Sequence, residues 1–127
     1  MTDETPPTIE PALRTVAMPA DTNPAGDIFG GWLLAQMDLA GGLAAMRESR
    51  GRVATVAMDA MTFKRPVKVG DEVTVWAELL GIGTTSLRYR VSAWRRPRHS
   101  EGHIKVTEAI FTFVALDEQG GKRVIGR

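Results

Sequence analysis

The chain contains no cysteine, so its sequence provides no disulfide framework, no thiolate nucleophile and no cysteine ligand for a metal ion. Its net charge is only +1, from 16 basic and 15 acidic residues, whereas a dedicated nucleic-acid-binding domain usually carries a strong basic excess. Its two histidines, His99 and His103, fall in a polar loop without carboxylates at metal-ligand spacing. We therefore expect no metal site, no cofactor and no nucleic-acid partner.

Charge is also nearly absent from residues 28–46, an apolar stretch in which Asp38 is the single charged residue. Its length approaches that of a membrane-spanning helix. However, it contains glycine pairs, and an aspartate at the centre of a bilayer costs about 2.5–3.5 kcal/mol. A helix that is apolar on all sides can equally form the centre of a globular domain. We expect a buried helix over residues 31–50 and no membrane span.

The other apolar segments predict strands, because apolar residues alternate with polar ones between turns that contain glycine or proline. The expected strands cover residues 13–18, 53–63, 73–80, 87–94 and 106–116, and the strand over 87–94 is expected to have one wet face. This order is an α+β pattern, with an antiparallel β-sheet curved around one central helix. We expect a single domain over residues 12–127, preceded by a disordered polar lead-in over residues 1–11 that lacks the features of a secretory signal.

Residues 18–42 read MPADTNPAGDIFGGWLLAQMDLAGG, a block that resembles the bacterial YciA-type acyl-CoA thioester hydrolases, relatives of the brain-type acyl-CoA hydrolases. The resemblance continues to about residue 120, through segments such as Met61-Thr62-Phe63 and Gly83-Thr84-Thr85-Ser86. It implies a hotdog fold and a cytoplasmic enzyme that hydrolyses acyl-CoA to a free fatty acid and CoA. It also implies a homo-oligomer of hotdog dimers, often a hexamer, with active sites between subunits.

The sequence departs from this family in two places. The family more often has a second asparagine where this chain has Pro24-Ala25, in the loop before the helix. The loop over residues 95–103 also looks individual, which weakens the transfer of coenzyme A contacts there. A non-catalytic acyl-CoA-binding protein of the same fold is the alternative function, since a fold does not determine an activity. A hotdog dehydratase is disfavoured, because no histidine lies near the helix in sequence.

Thioester hydrolysis needs a group that stabilises negative charge on the carbonyl oxygen and a group that attacks or activates water. The backbone N–H groups of Gly30 and Gly31, at the start of the helix, are candidates for the first role, although the pair also suits a tight turn. Asp38 is the candidate catalytic carboxylate, as general base or nucleophile, and a structural hydrogen-bonding role is the alternative. Asp27 is a further candidate, or else a capping residue of the helix.

The remaining candidates concern substrate binding. Asn23 belongs to the loop before the helix, where an Asx turn is the default interpretation. Phe29 is expected to shape the acyl pocket. Thr55 can hydrogen-bond a water molecule or a carboxylate across a dimer interface, although an ordinary strand threonine is the favoured interpretation. Phosphate groups of coenzyme A require cations. Runs of charged residues are usually just a solvated surface. The two basic clusters and the proline beside one of them nevertheless supply five candidates for coenzyme A binding: Lys64, Arg65, Pro66, Arg95 and Arg96.

Overall fold

The structure, a computed structural model, describes residues 4–59 and 61–126. Strand β1 (Leu13–Val16) is followed by a single 3-10 turn (Pro19–Asp21) and by the long helix α1 (Gly30–Ser49). Four strands complete the described part: β2 (Val53–Met58), β3 (Glu72–Ile82), β4 (Ser86–Arg96) and β5 (Ile104–Ala115). The helix lies within one residue of its predicted bounds, and no helix in the described part of the chain is long and apolar enough to cross a membrane.

The five strands form one antiparallel sheet in the order β1-β3-β4-β5-β2. Strands β3, β4 and β5 follow one another as a meander, whereas β2 returns to the outer edge beside β5. The curled sheet packs around α1, as expected from the order of the elements, and this arrangement is the hotdog fold. The prediction of an α+β fold with a sheet wrapped around one helix is therefore confirmed.

The core lies between α1 and the inner face of the sheet. One side of the helix buries Leu33, Met37, Ala40, Gly41 and Ala45, spaced three to four residues apart as the helical period requires. These residues meet the apolar side chains of β4 and β5, including Phe113, which is fully buried. Gly41 allows the closest approach, because a Cβ atom there would lie 2.7 Å from Phe113 Cζ.

The predicted strand over residues 53–63 is too long, because β2 ends at Met58. A bulge between Thr55 and Ala57 disturbs its register with β5. Beyond Met58 the strand does not continue, although Asp59 and Lys64 still donate backbone hydrogen bonds of 2.9 Å and 2.8 Å to the carbonyls of Ile110 and Val106 on β5. Thr107 Oγ1 donates a hydrogen bond of 2.7 Å to the carbonyl of Thr62, and this contact holds the following segment beside the start of the helix.

The prediction of a wet outer face on the strand over residues 87–94 holds only for its first half, where Arg88 is exposed and Arg90 is half-buried. Ser92 and Trp94 are each 2% exposed, and Trp76 on the neighbouring strand is 4% exposed. Trp76 packs edge-on against both Trp94 and His103. Burial of this face follows from residues 4–11, here called the N-terminal strap, which lie over the sheet: Trp76 Nε1 donates a hydrogen bond of 2.9 Å to the carbonyl of Ile9.

The N-terminal strap falls within the segment expected to be a disordered lead-in. In the structure its first residue, Glu4, forms ion pairs with Lys64 and Arg65, and its last residues lead directly into β1. Residues 1–3, which the same prediction covered, lie outside the described residues.

Candidate active site

A cavity of about 230 Å³ opens at the N-terminal end of α1. Its walls come from the start of the helix, from the segment that follows β2 and from β5: Ile28, Phe29, Gly30, Leu33, Phe63, Arg65, Pro66, Val67 and Val106. The walls are largely apolar, and Arg65 is the charged residue among them. Four residues proposed from the sequence therefore line the same cavity: Phe29, Gly30, Arg65 and Pro66.

The helix begins without a side-chain cap. Phe29 occupies the N-cap position and makes no capping hydrogen bond. Within residues 4–59 and 61–126, the N–H groups of Gly30 and Gly31 donate to no acceptor. Because the positive end of the helix dipole adds to these free donors, the start of α1 can stabilise negative charge on a carbonyl oxygen.

The two glycines differ in their surroundings. A Cβ atom on Gly30 would lie 3.3 Å from Phe63 Cζ, whereas a Cβ atom on Gly31 would meet no atom within 4 Å. Phe63 therefore covers the backbone at Gly30 and forms one wall of the cavity. Phe63 was not among the residues proposed from the sequence. Its position directly before the Lys64-Arg65-Pro66 cluster was the feature that could have indicated a place at the site.

Asp38 lies farther along α1, on the side of the helix that faces β2. Thr55 Oγ1 donates a hydrogen bond of 2.5 Å to Asp38 Oδ1. Asp38 is half-buried rather than deeply buried, and it has a partner within its own chain. The favoured interpretation of Thr55 as an ordinary strand threonine missed this contact, since the pairing depends on how β2 folds back beside the helix.

Asn23 and Asp27 organise the loop before the helix. Asn23 Oδ1 accepts hydrogen bonds from the backbone N–H groups of Ala25 at 3.0 Å and Asp27 at 3.1 Å, which is the Asx-turn role expected by default. Asp27 does not cap the helix, because its carboxylate forms an ion pair of 2.5 Å with Lys68 Nζ. Neither residue lines the cavity, and a part for Asp27 in the chemistry stays a prediction.

The proposed phosphate-binding cations fall into two groups. Arg65 lines the cavity, whereas the adjacent Lys64 does not, and both form ion pairs with Glu4. Arg95 and Arg96 instead pair with the carboxylates of Asp71 at 3.0 Å and Glu72 at 2.5 Å, away from the cavity. The hydrogen bond from Arg96 holds the pKa of Glu72 below its ordinary value. The structure does not bring Arg95 and Arg96 to the cavity of this chain, and their contact with coenzyme A stays a prediction.

No group of three or more potential ligands for a metal ion is present among the residues that the structure describes. The donors at the cavity are instead backbone N–H groups and the guanidinium group of Arg65. This combination is suited to binding an anion or a polarised carbonyl group.

Comparison with known proteins identifies the family. The profile of the thioesterase superfamily matches residues 25–101, which include α1, β2, β3 and β4. The chain belongs to the thioesterase superfamily. This membership confirms the family predicted from residues 18–42, and the matched segment contains Gly30, Asp38, Thr55 and Arg65.

Similar bacterial proteins match most of the length of this superfamily member. The acyl-CoA thioester hydrolase YciA of Escherichia coli is 48% identical over 116 residues, which are 89% of this chain and 88% of that protein. A hexameric thioesterase from Yersinia pestis superposes with a TM-score of 0.90 at 45% identity, covering 95% of this chain and 98% of that one. A hexameric broad-specificity acyl-coenzyme A thioesterase, solved as an aspartate-to-alanine variant, superposes with a TM-score of 0.89 at 45% identity, covering 93% and 87%.

Proposed function

We propose that this member of the thioesterase superfamily hydrolyses acyl-CoA to a free fatty acid and CoA. The observation that carries the proposal is the uncapped start of α1, where the free N–H groups of Gly30 and Gly31 meet an apolar cavity with Arg65 in its wall. The names of the similar proteins, acyl-CoA thioester hydrolase and acyl-coenzyme A thioesterase, support the same substrate class. The cytoplasmic location expected from the sequence belongs to this proposal, and fractionation of cells that express the chain tests it.

In the proposed reaction, the thioester carbonyl oxygen accepts hydrogen bonds from the N–H groups of Gly30 and Gly31. Thr55 occupies Oδ1 of Asp38, which leaves Oδ2 to take a proton from a water molecule. The oxygen of that water attacks the carbonyl carbon, and the tetrahedral intermediate carries its negative charge at the helix start. Collapse breaks the carbon–sulfur bond, and Asp38 returns the proton to the departing thiolate. Attack by the Asp38 carboxylate itself is the other chemical route.

The two halves of this machinery are far apart within one chain. Asp38 lies about two helical turns after Gly30, which is about 12 Å along the axis at 1.5 Å per residue. A single thioester carbonyl group therefore cannot lie within about 3 Å of both the N–H group of Gly30 and the carboxylate of Asp38 in one chain. We therefore propose that the helix start of one subunit and the Asp38 of a second subunit share each active site.

The surface near Asp38 supports such an assembly. Strand β2 is an edge strand without a single charged residue, and Val56 on it is 57% exposed. Leu39, Leu43 and Met46 are also exposed on α1. Uncovered edge strands in stable monomers are normally protected by charges or proline. We propose that a second copy covers this surface, and that dimers associate further into a hexamer, the assembly named for two similar structures.

The test is CoA release from a panel of acyl-CoA substrates, short to long, with the wild type and with Asp38→Asn. Loss of a general base lowers kcat by about 10²–10⁴-fold. Thr55→Val should lower kcat as well, since the carboxylate loses a charge-assisted hydrogen bond that contributes about 1.5–3 kcal/mol, and Thr55→Ser should restore most of the rate. The matched control is Glu48→Gln, which removes an exposed carboxylate from the same helix.

Each outcome has a defined meaning. If the wild type releases CoA and Asp38→Asn does not, while the variant keeps the size of the wild-type assembly, both the activity and the role of Asp38 stand. Unchanged turnover in Asp38→Asn removes Asp38 from the mechanism and makes Asp27 the next residue to replace. Binding of acyl-CoA without any release of CoA by the wild type identifies a binding protein instead of a hydrolase.

A further inference from the structure

Arg65 in the cavity wall and the adjacent Lys64 already form ion pairs with a carboxylate of the chain itself. Glu4, in the N-terminal strap, places Oε1 3.1 Å from Arg65 Nη1 and Oε2 3.8 Å from Lys64 Nζ. Arg65 also donates a hydrogen bond of 2.6 Å to the carbonyl of Lys105, which fixes the guanidinium group in the cavity wall. The Glu4 carboxylate therefore occupies Arg65 and Lys64, the two cations proposed to bind an anionic group of the substrate.

The strap is attached mainly at its two ends. At one end, Trp76 Nε1 holds the carbonyl of Ile9, and Ala12 N–H donates to the carbonyl of Val75 just before β1. At the other end, Glu4 makes its ion pairs. Between them, residues 5–8 span a gap of about 370 Å³ above Trp94 and Lys105.

The composition of residues 5–8 favours release of this part of the strap from the sheet in one step. Pro6 and Pro7 have no backbone N–H group to donate to the sheet, and their rings hold the segment extended. Separation of Glu4 from Arg65 breaks no hydrogen bond of the β-sheet. The ion pairs of Glu4 are therefore the contacts that hold the first residue of the strap beside Arg65 in the cavity wall.

We propose that Glu4 is an internal competitor that occupies Lys64 and Arg65 until a phosphate group of the CoA substrate displaces it. This inference rests on the proposed function, because it takes the substrate to carry phosphate groups. Partly exposed carboxylate pairs are weak, whereas a phosphate brings more charge and binds a guanidinium group through two parallel hydrogen bonds. The competition screens the cations in the empty enzyme, and it weakens substrate binding without touching the reacting atoms.

The test compares Glu4→Gln with Glu10→Gln in the full-length protein. Glu10 is the matched control, because it is exposed, lies in the same strap and contacts neither Lys64 nor Arg65. Steady-state kinetics are measured with a short-chain acyl-CoA and with the same acyl group on N-acetylcysteamine, a thioester that has no phosphate. At low ionic strength, Glu4→Gln should lower KM for the acyl-CoA by about two- to five-fold, the range of a surface ion pair. Its kcat, its KM for the phosphate-free thioester and all constants of Glu10→Gln should equal those of the wild type.

Calorimetric titration with free CoA separates this inference from the proposed function. The competition is supported if Glu4→Gln binds CoA more tightly than the wild type and if this difference in affinity shrinks when salt is added. This result supports it even if the wild type hydrolyses no thioester. Equal dissociation constants for CoA in the wild type and Glu4→Gln overturn it, and so does a failure of all three proteins to bind CoA. A similar fall in KM for both thioesters also overturns it, since Glu4 would then act through the packing of the strap and not through charge.

Discussion

At the scale of single residues, the environment of Asp38 determines which chemistry this carboxylate can carry out. It is half-buried, so it keeps access to solvent, and Thr55 orients one of its two oxygens. A general base needs both properties, because it must reach a water molecule and hold its geometry while it takes the proton. The hydroxyl of Thr55 thus makes a contact with Asp38 that its place on an edge strand does not reveal.

Tyr89 is the residue through which alkaline pH should act on stability. Burial, aided by the negative charge of Glu48, raises the pKa of Tyr89 from 10.0 to about 12. The folded protein favours the neutral phenol, which donates a hydrogen bond of 3.2 Å to the carbonyl of Ala44. Its stabilising contribution is complete below pH 10 and is lost as the pH rises towards 12, because the unfolded chain releases its proton first.

We expect Tyr89→Phe to unfold about 0.5–1.5 kcal/mol more easily at neutral pH, since it lacks this hydrogen bond. Its Tm should fall less than that of the wild type between pH 10 and pH 12. Thermal unfolding across this range checks the expectation. Because Tyr89 is the only tyrosine of the chain, its phenolate absorbance reports the ionisation directly. Parallel Tm curves for the two proteins would show that other groups control alkaline unfolding.

At the scale of secondary-structure elements, the contact between α1 and the sheet depends on how closely the helix backbone approaches Phe113. A Cβ atom on Gly41 would lie 2.7 Å from Phe113 Cζ and 3.3 Å from Val91 Cγ2. A Cβ atom on the adjacent Gly42 would lie 3.9 Å from Phe113 Cε1, which is an ordinary contact distance. The two glycines therefore provide a matched pair on the same helical turn.

We expect Gly41→Ala to destabilise the protein by about 1–3 kcal/mol, because the added methyl group overpacks a buried aromatic ring. Gly42→Ala should be neutral, or stabilising by up to about 1 kcal/mol, since alanine favours the helix over glycine. Chemical denaturation of both variants measures the difference. Equal losses in the two variants would mean that the spacing between helix and sheet does not depend on Gly41.

The end of the helix illustrates how distant segments complete an element. Arg50 adopts the left-handed conformation with φ 57°, and its N–H group donates to the carbonyl of Met46. Arg123, from the C-terminal segment, donates a hydrogen bond of 3.0 Å to the carbonyl of Ser49. A cation beside the negative end of the helix dipole is favourable, so the C-terminal segment stabilises the same helix whose free start is proposed to bind the substrate.

At the scale of the whole molecule, the uncharged edge strand β2 and the separation between Gly30 and Asp38 lead to the same expectation of shared active sites. In a dimer with two shared sites, a defect at the helix start and a defect at Asp38 can be carried by different subunits. Gly31→Pro removes one N–H group at the helix start, and proline is tolerated in the first turn of a helix. Asp38→Asn removes the carboxylate.

We expect each variant alone to be nearly inactive and a mixture of the two to regain activity after dissociation and reassembly. Random pairing makes half of the dimers mixed, and each mixed dimer has one intact site, so about a quarter of the wild-type activity should return. The rate of CoA release from equimolar mixtures measures the gain. Wild-type mixtures taken through the same treatment control for losses. Failure to regain activity, with mixed assemblies shown to form, would place both halves of each site in one subunit.

The sequence by itself determined the local elements and the chemical type of the site. Alternation of apolar residues marked the strands, and Gly30-Gly31 and Gly51 marked the ends of the helix within a residue. A lone charge in an apolar helix directed attention to Asp38. These features are encoded within a few neighbouring residues, because helical and strand periods repeat over short distances.

Only the tertiary structure decided which distant residues meet. The contact of Thr55 with Asp38, the position of Phe63 against Gly30 and the ion pairs of Glu4 with Lys64 and Arg65 all join separate segments. The dry outer face around Trp94 depends on the strap in the same way. Such contacts follow from strand order, from the bulge in β2 and from the path of the N-terminal residues, and no local period in the sequence records them.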